Sequence, residues 1–187
     1  GATVISLSRT SETKVDVTNY SSCEKAIKTI LEQHGHIDVV INNAGVFLSK
    51  SISDTTAKEF EQLMAVNVFG VFNVSKAVIE HMKSKKHGLI INIGSKISHN
   101  TNVTPNKVAY ASSKYAVEGF SFALNKELKP HGIRVTCLMP GTVATFLSRK
   151  NGDYLSPYDV AHLIKMVIES ENIDFESVVF KSVNQNI

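Results

Sequence analysis

Apolar positions along this chain come in two alternating textures. Short runs rich in β-branched residues, "TVISL" (3–7), "KVDV" (14–17), "IDVVIN" (37–42), "LIINIG" (89–94), "RVTCLM" (134–139) and "SVVFKS" (177–182), predict strands. Longer segments with apolar residues at helical spacing predict helices over 21–34, 57–83, 107–129 and 157–170. Strands and helices that take turns, with strands apolar on both faces, imply an α/β fold: a doubly wound, Rossmann-like parallel sheet with helices on both faces. Local signals fix several ends. Thr56 with Glu59 forms a capping box, Ser156 before Pro157 and Asp159 starts the last helix, and Pro130 with Gly132 stops the third. The basic run "KSKKHG" (83–88) reads as a helix C-terminus favoured by the macrodipole and closed by a glycine cap.

The 187 residues carry no internal repeat or linker, so a single domain over 1–187 is expected. A net charge of +3, with 20 % of residues charged, is too small and too scattered for a nucleic-acid groove. The two cysteines, Cys23 and Cys137, lie far apart without histidines at metal spacing, which implies free thiols in a reducing compartment and no metal. The chain shows no signal peptide and no apolar run of spanning length, so a cytoplasmic protein without membrane contact is expected.

In an open α/β sheet, ligands lie beyond the carboxyl ends of the strands. Here those ends are Ser8 and Arg9, Asp16 to Thr18, "NNAG" (42–45), Ser95, and "PGTVAT" (140–145). A further candidate lies in "VAYASSKYAVEGFSFAL" (108–124), where Tyr110 and Lys114 are spaced to share one helical face. A phenol beside an ammonium is either a solvated surface pair or an acid with a tuned pKa.

Taken in order, "NNAG", "VNVFG" (66–70), "INIGS" (91–95), the Tyr110–Lys114 pair and "PGTVAT" resemble the short-chain dehydrogenase/reductase family over nearly the whole chain. The resemblance implies an NAD(P)-dependent oxidoreductase that reduces a carbonyl or oxidises a secondary alcohol. It makes Tyr110 the general acid/base. Lys114 would bind the nicotinamide ribose and depress the tyrosine pKa, Ser95 would hold the substrate oxygen, and Asn67 would anchor a relay water. Asn43, Ala44 and Gly45 become cofactor contacts, Asp16 and Val17 adenine contacts, Val143 and Thr145 carboxamide contacts, and Pro140 and Gly141 shape their loop. Ser8 and Arg9 stand where the ribose 2′ position would lie. A carboxylate there would favour NAD(H), whereas an arginine can hold a 2′-phosphate, so NADP(H) is favoured over NAD(H).

The chain also departs from the family pattern. The loop "KISHNTNVTPNKVA" lengthens the path from Ser95 to Tyr110 and makes Ser98 a minor rival for the substrate oxygen. No glycine-rich turn and no first strand precede "GATVISLSRT", so by resemblance the chain is expected to begin at the family's second strand, without the turn that holds the pyrophosphate. The stretches 9–15 and 145–156 are too short for the crossover and substrate flap expected there, which predicts consecutive residues in each that are not covalent neighbours. The alternative function is a non-catalytic family member or fragment acting as a binding or regulatory module. By resemblance, the helices holding Asn67 and Tyr110 pair with those of a second copy in a homodimer or homotetramer, with Met64, Phe72, Phe120 and Phe122 supplying surplus apolar surface.

Overall fold

The period-two alternation in β-rich segments decides the architecture, because odd and even residues of one strand must each find apolar cover. The computed structural model describes residues 1–11, 13–99, 103–144 and 154–183. Strands β3 (Val39–Asn42), β4 (Gly88–Ile93), β5 (Ile133–Pro140) and β6 (Ser177–Phe180) form a parallel sheet in that order. Val40, Ile90, Ile133 and Val135 face helices α3 (Gly70–Lys85) and α4 (Val108–Leu128), packing on Val78, Met82, Leu124 and Leu128. Leu89, Ile91 and Leu138 face the other way, onto Val167, Leu163 and Ile164 of α5 (Pro157–Glu169). Helices therefore cover both faces of the sheet. Leu128, Ile90, Ile133 and Val135 are completely buried at its centre.

The first part of the chain does not join that sheet. β1 (Leu7–Ser8) and β2 (Thr13–Lys14) make a separate two-stranded parallel sheet, which corrects the expectation of one sheet and of strands over 3–7 and 14–17. Parallel neighbours ordinarily need a crossover of about a dozen residues, and here only residues 9–12 separate the two strands. The link turns on serines: Ser8 Oγ accepts from Ser11 N at 2.8 Å, and Ser11 Oγ donates to the Thr13 carbonyl at 2.7 Å. Val15, with Cys23 and Ala26 of α1 (Tyr20–His34), packs this unit on Val74 and Ala77 of α3.

The long helix expected over 57–83 is continuous but not uniform. α2 (Ala57–Met64), begun by the Thr56–Glu59 capping box, passes through a π-helical turn over Ala65–Phe69 into α3. By length and composition alone, Ala57–Lys85 could cross a membrane, which corrects the sequence reading on that point. In the fold, the rod packs Val71, Val78 and Met82 into the core and buries Asn67, Asn73 and Ser75. Such polar contacts inside the protein give the helix a role in the core.

The Ser156 capping box starts α5 as expected. The end of α3 is a correction. Its left-handed cap is Lys86 (φ 52°), not Gly88. Gly88 already lies in β4, where a Cβ would meet Met82 Sδ at 2.5 Å, so the glycine serves packing instead of capping. Gly132 (φ 74°) does close the turn after α4, and the Lys86 carbonyl occupies the space a Cβ there would need.

Candidate active site

The carboxyl end of β4 and the first turns of α4 build the site between them. β4 stops at Ile93, and Gly94 leads into Ser95, which caps the short helical turn Lys96–Ser98 by accepting from Ile97 N. A side chain at Gly94 would meet Cys137 Sγ at 2.9 Å, so the strand exit lies flush on β5. Ser95 and Tyr110 are hydrogen-bonded through their side chains. Ser98, the possible rival, is buried and donates to the Ser95 carbonyl at 3.0 Å. The rival therefore braces the turn that presents Ser95.

Tyr110 and Lys114 follow each other one turn apart on α4 and face the sheet. Burial pushes the Tyr110 phenol above its ordinary range, while its hydrogen bond to Ser95 pulls the other way. The phenol thus stays protonated at neutral pH. Lys114 is buried, and loss of hydration brings its ammonium down to about 8. Its Nζ donates to the Ile93 carbonyl at 2.8 Å and lies 5.8 Å from the centre of the Tyr110 ring. The ammonium is tied to the same strand end that carries Ser95.

Asn67, in the π turn, ties three segments together. Its Oδ1 accepts from Val46 N at 2.8 Å, and its Nδ2 donates to the Val46 carbonyl at 3.0 Å and to Ser113 Oγ at 3.0 Å. The buried amide thereby meets the hydrogen-bond demand of a polar group inside a helix pair. Asn43, Ala44 and Gly45 run exposed from β3 past this clamp. A Cβ on Gly45 would lie 3.5 Å from Asn67 Oδ1 and 3.9 Å from Lys114 Nζ, so the glycine leaves the backbone open beside the ammonium.

Asn67, Ser95, Tyr110, Lys114 and Gly45 are thus brought into one cluster. The remaining candidates lie along the strand ends. Pro140 is buried at the end of β5, Gly141 N donates to the Phe180 carbonyl at 2.7 Å, and Val143 bridges to Leu155. Thr145 lies outside the described residues, as do 146–153 of the expected break at 145–156. Ser8 and Arg9 sit on the separate β1–β2 unit, with Arg9 exposed. Asp16 accepts from Thr18 N and Oγ1 at 3.0 and 2.8 Å, and these bonds, with Arg9 adding a smaller attraction, hold its carboxyl below the usual range. The Val17 carbonyl accepts from Asn73 Nδ2 at 2.8 Å, while the Val17 side chain fills the space beside Gly70. This docks the Asp16–Thr18 turn on the start of α3, next to the π turn that holds Asn67.

Sequence reasoning missed a polar ladder beneath the site. Asn42 Nδ2 donates to Asn92 Oδ1 at 2.8 Å and to Ser75 Oγ at 3.2 Å, and Asn92 Nδ2 donates to Ser121 Oγ at 2.9 Å, all of them buried. The signal was available: Asn42 and Asn92 interrupt otherwise apolar strands and pair in register. Phe47 was missed as well, and its ring meets that of Tyr110 at 4.9 Å between centres and 75° between planes.

A family model described as short chain dehydrogenase matches residues 6–155. The chain is 40 % identical over 138 residues to a 3-ketodihydrosphingosine reductase of Bacteroides thetaiotaomicron, covering 73 % of this chain and 51 % of the relative. It is 35 % identical over 136 residues to a cyclopentanol dehydrogenase of Comamonas testosteroni, covering 73 % and 54 %. The chain spans about half the length of the curated relatives it matches. Among solved structures, an alcohol dehydrogenase from the archaeon Thermococcus sibiricus, complexed with 5-hydroxy-NADP, superposes with a TM-score of 0.82 at 29 % identity, over 92 % of this chain and 74 % of that one. A gluconate 5-dehydrogenase from Burkholderia cenocepacia, in complex with NADP and tartrate, gives 0.68 at 34 % identity, over 72 % and 52 %.

Proposed function

The chain belongs to the short-chain dehydrogenase/reductase family, and from that premise we propose that it interconverts a carbonyl and a secondary alcohol with NADP(H), with Tyr110 as proton donor and acceptor. The observation that carries this reading is a half-buried, protonated phenol hydrogen-bonded to a serine, with a buried ammonium one helical turn away. The residues fit the nicotinamide-ribose side of the cofactor, because Gly45 leaves open backbone beside Lys114 Nζ. When bound, the nicotinamide supplies the hydride. In reduction, Ser95 donates a hydrogen bond to the carbonyl oxygen and Tyr110 gives that oxygen its proton. Lys114 holds the ribose hydroxyls and favours the phenolate left behind. Asn67 keeps Val46 and Ser113 in place and anchors the water that returns the proton. Thr145, Val143, Asp16 and Asn43 to Gly45 complete the cofactor contacts. The screen that tests this reading follows NADPH oxidation with a panel of ketones. Absence of turnover across the panel, with cofactor bound, would leave a binding module instead of an enzyme.

Preference for NADP(H) rests on Arg9, which is exposed directly after β1, and on Ser8, in place of a carboxylate, as the last residue of that strand. Arg9→Ala is expected to weaken NADPH binding by about 1.5–3 kcal/mol, the range of a hydrogen bond to a charged group, and to leave NADH nearly unchanged. Calorimetric titration with both nucleotides checks this, and equal losses would remove the contact.

Assembly into a cytoplasmic homodimer or homotetramer is part of the same reading. Phe69 and Phe72 on the α2–α3 rod and Phe122 on α4 expose large aromatic surface, while Phe120 packs 6.3 Å from Phe72 between ring centres. A second copy would cover these faces. Light scattering at micromolar concentration is expected to give at least twice the chain mass, and a monomer contradicts it.

A further inference from the structure

We propose that Phe47 is the substrate-facing wall of the site and selects carbonyl compounds that carry an apolar group directly on the carbonyl carbon. The inference rests on the reading of Tyr110 and Ser95 as the pair that meets the substrate oxygen.

Phe47 is not a loose loop residue. Asn67 holds both the N–H and the carbonyl of Val46, at 2.8 and 3.0 Å, so the backbone immediately before Phe47 is fixed on both polar groups. From that anchor the ring reaches Tyr110 in a T-shaped contact, with 4.9 Å between centres. The ring keeps open surface: 44 % of the residue is accessible, although it lies against a phenol that is itself half-buried. A carbonyl oxygen placed between Ser95 and Tyr110 brings its carbon and nearest substituent against that open aromatic surface. Burying it removes apolar area from water on both partners, a gain that polar or very small substituents do not supply. Lys107 Nζ, 6.0 Å from the centre of the Phe47 ring, adds a positive rim that disfavours cationic substituents.

The wall also bears on Tyr110 itself. Burial is the leading cause that pushes the phenol upward, and the Phe47 ring is part of what shields it. Removing the ring readmits water to the phenol, so the high-pH limb of carbonyl reduction should move downward in Phe47→Ala.

The test compares cyclohexyl methyl ketone with acetone, as kcat/KM and as equilibrium binding by ligand-observed NMR in the presence of NADP. Wild type is expected to prefer the larger ketone at least ~10-fold by either readout, the scale on which apolar contacts discriminate substrates. Phe47→Ala should collapse that ratio to within ~3-fold, whereas Phe47→Leu keeps most of it. An unchanged ratio in Phe47→Ala, or equal losses for both ketones, overturns the proposal. Phe47→Val serves as a second shortened variant if Phe47→Ala fails to fold. The two readings can fail separately. Turnover without discrimination removes the wall and leaves the oxidoreductase, while discriminating binding that Phe47→Ala abolishes, without turnover, keeps the wall and removes the redox role.

Discussion

Tyr110→Phe is expected to lower kcat for carbonyl reduction at least ~10²-fold while leaving the fold and NADPH affinity close to wild type, as for loss of a positioned general acid. The substitution deletes one oxygen. It keeps the ring that packs on Phe47 at 4.9 Å, and it leaves the Lys114 bond to the Ile93 carbonyl untouched. A large loss therefore reports on proton transfer and not on a collapsed site. Burial places the phenol above its ordinary pKa, so at neutral pH it is the acid form that carries the proton needed for reduction. Steady-state kinetics with calorimetric NADPH titration separates the two effects. Turnover within a few-fold of wild type would mean that another group delivers the proton.

Leu128→Ala should destabilise the protein by about 2–5 kcal/mol, the range for a leucine truncated in a well-packed core. Leu128 is fully buried in the last turn of α4, in one cluster with Val78 and Met82 of α3 and Ile90, Ile133 and Val135 of the sheet. The glycine turn behind it adds to the effect. Gly132 brings the chain so close to the Lys86 carbonyl that the end of α4 has little room to settle into a cavity. The same helix carries Tyr110 and Lys114 near its other end, so kcat of the folded fraction should hold while the midpoint of chemical denaturation falls. A loss below about 1 kcal/mol would show that α4 does not close the core as described.

By itself, the sequence determined the elements whose signals are local. Capping boxes at Thr56–Glu59 and Ser156–Asp159 involve residues within one turn of each other, and the structure forms both. The Gly132 stop and the alternation of β3 to β6 with helices are legible for the same reason, since helical and strand periods are properties of neighbouring residues. Tyr110 and Lys114 could be placed on one helical face before any contact was known. Tertiary structure decided what depends on residues far apart in the chain. It separated β1–β2 from the main sheet, because a two-residue pair joined by a short link anchors to α1 and α3 through Val15 and Val17 instead of extending β3. It moved the α3 cap to Lys86, because Gly88 is already taken up by β4, where it pairs with Ile133. Packing turned the middle of the long helix into a π turn, where Asn67 binds Val46 and Ser113 at once. The Ser95–Tyr110 bond and the Phe47 contact likewise exist only where β4, the loop after β3 and α4 converge, for no local pattern encodes a distance between residues on separate elements.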